Sequence, residues 1–319
     1  MTRKGRVESW RITQPNNPMH TASSFMWRPV LAAALAASTL SAQSTVQYSM
    51  VDVGGHKLHV QVAGTARPGT ATVVFESGLG SPVGMWLRVQ KTIAESTLTI
   101  AYDRSGINKS ELGKEAPTVP YIVGALHTLL SKIEAPPPYV LVGHSWGGPI
   151  INRFAATYPN EVAALVYVDP TDWTQTKADM SALWKQAGVK DDDDMMMKML
   201  EKMPGVPAGI LAEAKEIARL QKGGFDELRQ GGDAPDVPTY VLLGGKRDPT
   251  PPGQAFPGDM DAYFKAGMDQ RIDHFGGMMQ RKRQGTLVLT SKSGHFVHSS
   301  EPELVVWAIR QALAASAKR

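Results

Sequence analysis

The chain has 319 residues, 42% of them hydrophobic and 20% charged, which is enough apolar material for a sizeable buried core and too much for disorder by composition. Its formal net charge of +4 sits within residues 1–43, where Arg3, Lys4, Arg6, Arg11 and Arg28 face Glu8 alone, so the rest of the chain is balanced and gives nucleic-acid binding no electrostatic support. The lack of cysteine excludes disulfides, thiolate metal ligands, a Cys nucleophile and a lipidated Cys.

The first segment reads as a leader. Arg28 precedes the apolar run Val30–Leu40, and small residues follow at Ser41-Ala42-Gln43. A basic region, a short apolar region and a small-residue cleavage zone predict a secretory signal cut near Ala42, and hence an exported protein, periplasmic or secreted. The run is short for a stable membrane span. The basic region is long and polar, so translation starts at Met1, Met19 or Met26.

From residue 46 strand-like and helix-like patterns alternate. Val46–Val53 and Lys57–Val62 flank Gly54-Gly55 as a hairpin. Short apolar runs follow at Ala71–Phe75, Leu98–Tyr102, Tyr139–Val142, Ala164–Val168, Thr239–Leu243 and Thr286–Leu289. Such continuous runs fit strands buried on both faces. Between them, Val83–Ala94, Val119–Glu134, Gly147–Tyr158 and Pro302–Ala315 read as helices. The alternation predicts an α/β fold with a mostly parallel central sheet flanked by helices. Two stretches interrupt it: 171–236, mostly helical and read as a cap or lid, and about 249–284, read as a second insertion. The core is then 44–170 and 237–319. Ten of the 15 methionines, among them Met180, Met260 and Met268, fall in the two stretches. They suit either helix packing or an adaptable apolar substrate pocket.

Gly143-His144-Ser145-Trp146-Gly147 matches G-x-S-x-G between an apolar β run and a helical segment, the context that the motif requires. A sharp strand-to-helix turn lifts a serine hydroxyl out of the sheet, with a helix N-terminus beside the developing charge. Ser145 is therefore the candidate nucleophile, and it needs a base. His295, in Ser293-Gly294-His295-Phe296 after the last strand, is that base; His298 is the competitor, read as a packed residue. The orienting acid is Asp248, after the preceding strand, with Asp169 as the alternative. The oxyanion hole draws on the backbone N–H of Trp146 and of Leu79 in Glu76-Ser77-Gly78-Leu79-Gly80. Arg104 reads as structural, paired with Asp103 or with a carboxylate near the elbow. The acidic run Asp191–Asp194 reads as a solvated face and lacks EF-hand spacing. The scheme calls for no cofactor and no metal.

These signatures, in order, resemble the α/β-hydrolase superfamily from about Val46 to Ala315. They are Glu76-Ser77-Gly78-Leu79-Gly80 with Trp86, Tyr102-Asp103-Arg104-Ser105-Gly106 with Ser110, Gly143-His144-Ser145-Trp146-Gly147-Gly148, Gly245 with Asp248, and Gly294-His295. The likeness is to the esterase, lactonase and aminopeptidase-like branch with a helical cap. It implies ester hydrolysis through an acyl-enzyme on Ser145, and the apolar, Met-rich insertions suggest a small, uncharged, fairly hydrophobic substrate. The same triad would serve an amide or aminopeptidase-like hydrolase, and a non-catalytic binding protein on this fold stays open. Epoxide or haloalkane chemistry is disfavoured, because relatives that perform it carry Asp where this chain has Ser145. The pattern leaves the oligomeric state open.

Overall fold

A computed structural model of the chain describes residues 45–190, 195–249 and 258–317. The expected leader and the run Asp191–Asp194 lie outside the described residues. The eight described strands form one sheet in the order β1-β2-β4-β3-β5-β6-β7-β8. They are β1 (Gln47–Asp52), β2 (Lys57–Ala63), β3 (Thr72–Glu76), β4 (Thr99–Tyr102), β5 (Tyr139–His144), β6 (Val162–Val168), β7 (Thr239–Gly244) and β8 (Gly285–Thr290). β1 and β2 are the expected hairpin, and Asp52 Oδ1 closes its turn by accepting from Gly54 N and Gly55 N at 2.8 and 3.1 Å. β2 also pairs antiparallel with β4, and from β4 to β8 every pairing is parallel.

Helices cover both faces, as parallel strands require. α1 (Leu87–Ala94), α2 (Val119–Lys132) and α3 (Gly147–Thr157) follow β3, β4 and β5. α4 (Lys177–Gln186), α5 (Met195–Glu201), α6 (Ala208–Lys222) and α7 (Asp226–Arg229) lie between β6 and β7. α8 (Met260–Gln280) joins β7 to β8, and α9 (Val297–Ser300) and α10 (Pro302–Ser316) end the chain's described part. The period-2 pattern of β5 divides the core. Val140 and Val142 face α1 and α10 through Val89, Ile93 and Ile309, whereas Leu141 faces α2, α3 and α8 through Leu126, Phe154 and Phe275.

α8 fills most of the stretch read as a second insertion. β7 and β8 are parallel neighbours, paired from Thr239–Gly285 to Gly244–Thr290, and such neighbours need a crossover. α8 is that crossover. Asp259 starts it by accepting from Asp261 N and Ala262 N at 3.0 and 2.9 Å. Its other role is to lie against α4. The segment 171–236 is helical as expected, and Thr176 with Asp179 makes a capping box at the start of α4.

Candidate active site

β5 ends at His144 and α3 begins at Gly147, so Ser145 occupies the tight turn between them. Its φ is +50°, in the left-handed region that a serine adopts only when its surroundings compel it. Three backbone bonds do so. Ser145 N donates to Val168 O at 3.2 Å, and Ser145 O accepts from Gly148 N and Thr171 N at 2.9 Å each. The glycine spacing has a steric cause. A Cβ at Gly143 would lie 2.5 Å from Gly147 O, and one at Gly147 would lie 2.4 Å from Glu76 O.

His295 sits on the loop after β8. Its Nδ1 is 2.6 Å from Asp169 Oδ2. Asp169 follows β6 directly, at φ +42°, and its Oδ1 accepts from Gly244 N and Arg271 Nη2 at 2.9 Å each. Burial opposes its ionisation, but the Arg271 charge, the His295 hydrogen bond and the Gly244 N–H outweigh burial and hold this carboxyl below the usual range. An ionised Asp169 can only accept, so His295 Nδ1 carries the proton and its Nε2 is left as the basic nitrogen.

Asp248 is the correction. Its Oδ2 accepts from the His295 backbone N at 2.7 Å, so it holds the loop and not the imidazole. β7 already ends at Gly244, which puts Asp248 four residues along the loop, beside Gly294; Asp169 is the first residue past β6, and β6 is the strand next to β5. His144 adds a second brace, its Nε2 donating to His295 O at 3.0 Å. Burial, with the neighbouring His295 and His298, holds His144 well below the ordinary imidazole value. His298 is packed as expected, with ring centroids 4.7 Å from Trp86 and 4.4 Å from His144. Burial and then His295 push it down to about 4.

The loop after β3 lies against the elbow: a Cβ at Gly78 would be 3.0 Å from Ser145 Cβ. Among the described residues, neither Leu79 N–H nor Trp146 N–H has an acceptor. Ser77 Oγ accepts from Trp86 Nε1 at 3.1 Å. Arg104 pairs with Glu76 and Glu213, whereas Asp103 takes His59 Nδ1 at 2.7 Å and Val83 N at 2.7 Å.

A cavity of about 350 Å³ reaches Asp169 and His295. Its apolar wall includes Met180, Leu183, Trp184, Phe264 and Met268, contributed by α4 and α8. Three of the inserted methionines, Met180, Met260 and Met268, therefore line it, while Met199 and Met203 are exposed. Two polar features of its wall escaped the sequence reading. Arg271 reaches Asp169 from α8, and Asp172 takes His274 Nδ1 at 2.7 Å as well as Thr174 N and Oγ1. Neither carries a motif, because both pairs join residues about a hundred positions apart. Among the described residues no group of three or more His, Asp or Glu is placed to hold a metal, and no helix is long and apolar enough to cross a membrane.

A serine on a strained strand-to-helix elbow, with a carboxylate-paired histidine at the same sheet edge, is the arrangement of a hydrolase on this fold. The chain belongs to the alpha/beta hydrolase family, whose pattern matches residues 73–308. It is 32% identical over 239 residues to the uncharacterized protein YqjL of Bacillus subtilis, a match that covers 75% of this chain and 81% of that one. It is 37% identical over 114 residues to the lipase LipV of Mycobacterium tuberculosis, covering 35% of this chain and 41% of that one. In fold it is similar to the 2-hydroxy-6-oxo-6-phenylhexa-2,4-dienoate hydrolase of Rhodococcus sp. strain RHA1, with a TM-score of 0.59 at 16% identity over 85% of this chain and 100% of that one.

Proposed function

We propose that this hydrolase cleaves small, uncharged, fairly hydrophobic carboxylic esters through an acyl-enzyme on Ser145. The observation that carries the reading is the strained Ser145, φ +50°, at the sheet edge where His295 Nδ1 meets Asp169 Oδ2 at 2.6 Å. Ser145 Oγ attacks the ester carbonyl and gives its proton to His295 Nε2. Asp169 keeps the imidazole in the tautomer that can accept it and stabilises the imidazolium. The Leu79 and Trp146 N–H groups receive the developing oxyanion. His295 returns the proton to the departing alkoxide, and water then attacks the acyl-enzyme with His295 again as base.

The apolar wall of α4 and α8 supports an apolar acyl or alcohol group. An aminopeptidase-like reading asks for a free carboxylate to hold the substrate amine. Asp172 is the cavity's carboxylate apart from Asp169, and His274 already engages it. That ranks amide cleavage second. Export after cleavage near Ala42 completes the proposal; secreted material should then begin near Gln43 on N-terminal sequencing, and an intact leader would refute it.

The test is a matched panel of p-nitrophenyl acyl esters and aminoacyl anilides, run on the wild type and on Ser145→Ala. Ester turnover lost in the variant supports the reading. A strong preference for the anilides, or equal turnover by Ser145→Ala, overturns it.

A further inference from the structure

Arg104 is buried below the loop that carries the Leu79 N–H, and its hydrogen bonds go both to α6 and to the stretch Glu76–Gly78 that leads out of β3. Nε donates to Glu213 Oε1 at 2.5 Å and Nη2 to Glu213 Oε2 at 2.8 Å, a bidentate pair with α6. Nη1 donates to Glu76 Oε1 at 2.6 Å and to Ser77 O at 2.5 Å, and Nη2 also donates to Gly78 O at 2.8 Å. The five bonds match the five N–H donors of the guanidinium. Tyr102 completes the cluster by donating to Glu76 Oε2 at 2.5 Å. A charge buried this deeply is tolerated because every donor is met, and a planar fork held on all sides cannot rotate.

The two carbonyls are what make the cluster matter for chemistry. A trans peptide is planar, with its C=O and N–H pointing in opposite directions. The Gly78 carbonyl and the Leu79 N–H belong to the same peptide unit. Fixing Gly78 O on Arg104 therefore aims the Leu79 N–H away from the cluster. The Ser77 carbonyl, fixed in the same way, sets the preceding unit. Gly78 itself abuts Ser145, so this is the loop beside the nucleophile.

α6 is seated on the same loops. A Cβ at Gly209 would lie 2.5 Å from the Gly106 carbonyl, and the Ile210 side chain would be 2.9 Å from a Cβ at Gly80. Gly209, Ile210 and Glu213 thus mark one contact line of α6, over Gly106, Gly80 and Arg104. The cap helix, the guanidinium and the peptide unit of Leu79 are in series.

We propose that Arg104 is a positioning residue for the oxyanion donor of Leu79, and that Glu213 couples its setting to the cap helix. The inference rests on the ester-hydrolase reading above. It assigns Arg104 no contact with substrate; it acts through the Gly78–Leu79 peptide unit. The interaction it controls is made to the tetrahedral species and not to the bound ester, so its loss should appear in kcat and not in KM.

The experiment measures kcat and KM for a p-nitrophenyl ester, and Ki for an alkyl boronic acid as a tetrahedral-adduct mimic, in wild type, Arg104→Lys and Glu213→Gln. Removing one oxyanion donor costs about 10²–10³ in kcat, and misaiming one should cost a fraction of that. The expected result for Arg104→Lys is a fall in kcat of roughly 10–100-fold, a matching rise in boronic-acid Ki, and KM within about threefold of wild type. Glu213→Gln keeps the side-chain shape and should shift both in the same direction by a smaller factor. It carries the test if Arg104→Lys does not fold. Variants within about threefold of wild type in kcat, or a kcat loss that the boronic acid does not share, overturn the inference alone. A wild type that neither cleaves the ester nor binds the boronic acid overturns the ester reading, and the inference with it.

Discussion

Asp169→Asn and Asp248→Asn separate two carboxylates that grip the same histidine at different atoms. Asp169 holds the imidazole Nδ1, and Asp248 holds the backbone N–H. Asp169→Asn should lower kcat by about 10⁴-fold, because an amide can present a donor to Nδ1 and so favours the wrong tautomer. Asp248→Asn keeps an acceptor for the His295 N–H and should cost under about tenfold in the same steady-state assay. Equal losses in the two variants would place the acid elsewhere. Both aspartates follow an apolar β run and both fall between Ser145 and His295, so chain order could not choose between them. The choice lies in the backbone, where Asp169 takes a left-handed φ and turns its carboxylate under His295. His298 offers a separate check through pH. Its folded value near 4 lies below the unfolded value of about 6.5, so the unfolded chain takes up a proton first as pH falls. Stability should therefore drop between pH 6.5 and 4, with about 2 kcal/mol from this residue between pH 7 and pH 5. Urea titrations of wild type and His298→Leu at those two pH values should show a smaller loss in the variant; an equal loss would refute the assignment.

At the scale of elements, α8 does two jobs. It bridges the parallel neighbours β7 and β8, and it brings Arg271 onto Asp169 while its apolar residues wall the cavity. Asp259→Ala removes its N-cap and should cost about 1 kcal/mol, read as a shift in urea midpoint at unchanged slope. A change under about 0.3 kcal/mol would mean that the cap is not needed there. Most strands were legible as short apolar runs closed by Gly, Asp or His, the first two by the Gly54-Gly55 turn between them, and the helix starts at Gly147 and Pro302 carry their own signals. α8 was not legible as a crossover. Glycine, proline and methionine at the start of 249–284 hide a helix that begins at Met260. Its polar residues also face both solvent and the site, which blurs the 3.6-residue period.

The described residues form a mostly parallel sheet whose strand ends gather chemistry from distant stretches of sequence. Ser145 from β5, Asp169 from β6 and His295 from the loop after β8 meet at one edge. The G-x-S-x-G spacing and the order of the motifs carried the family and singled out Ser145 and His295 as candidates. They did not carry Glu213 or Arg271, whose roles come only from helices laid across that edge. The balanced charge of the chain after residue 43 offers no electrostatic footing for a polyanion. If Ser145 forms the covalent intermediate, the mass of the protein after reaction with a fluorophosphonate, followed by peptide mapping, will show it. A single adduct is expected on Ser145 in the wild type, none in Ser145→Ala, and much slower labelling in His295→Ala. An adduct on another residue, or equal labelling of Ser145→Ala, would contradict it.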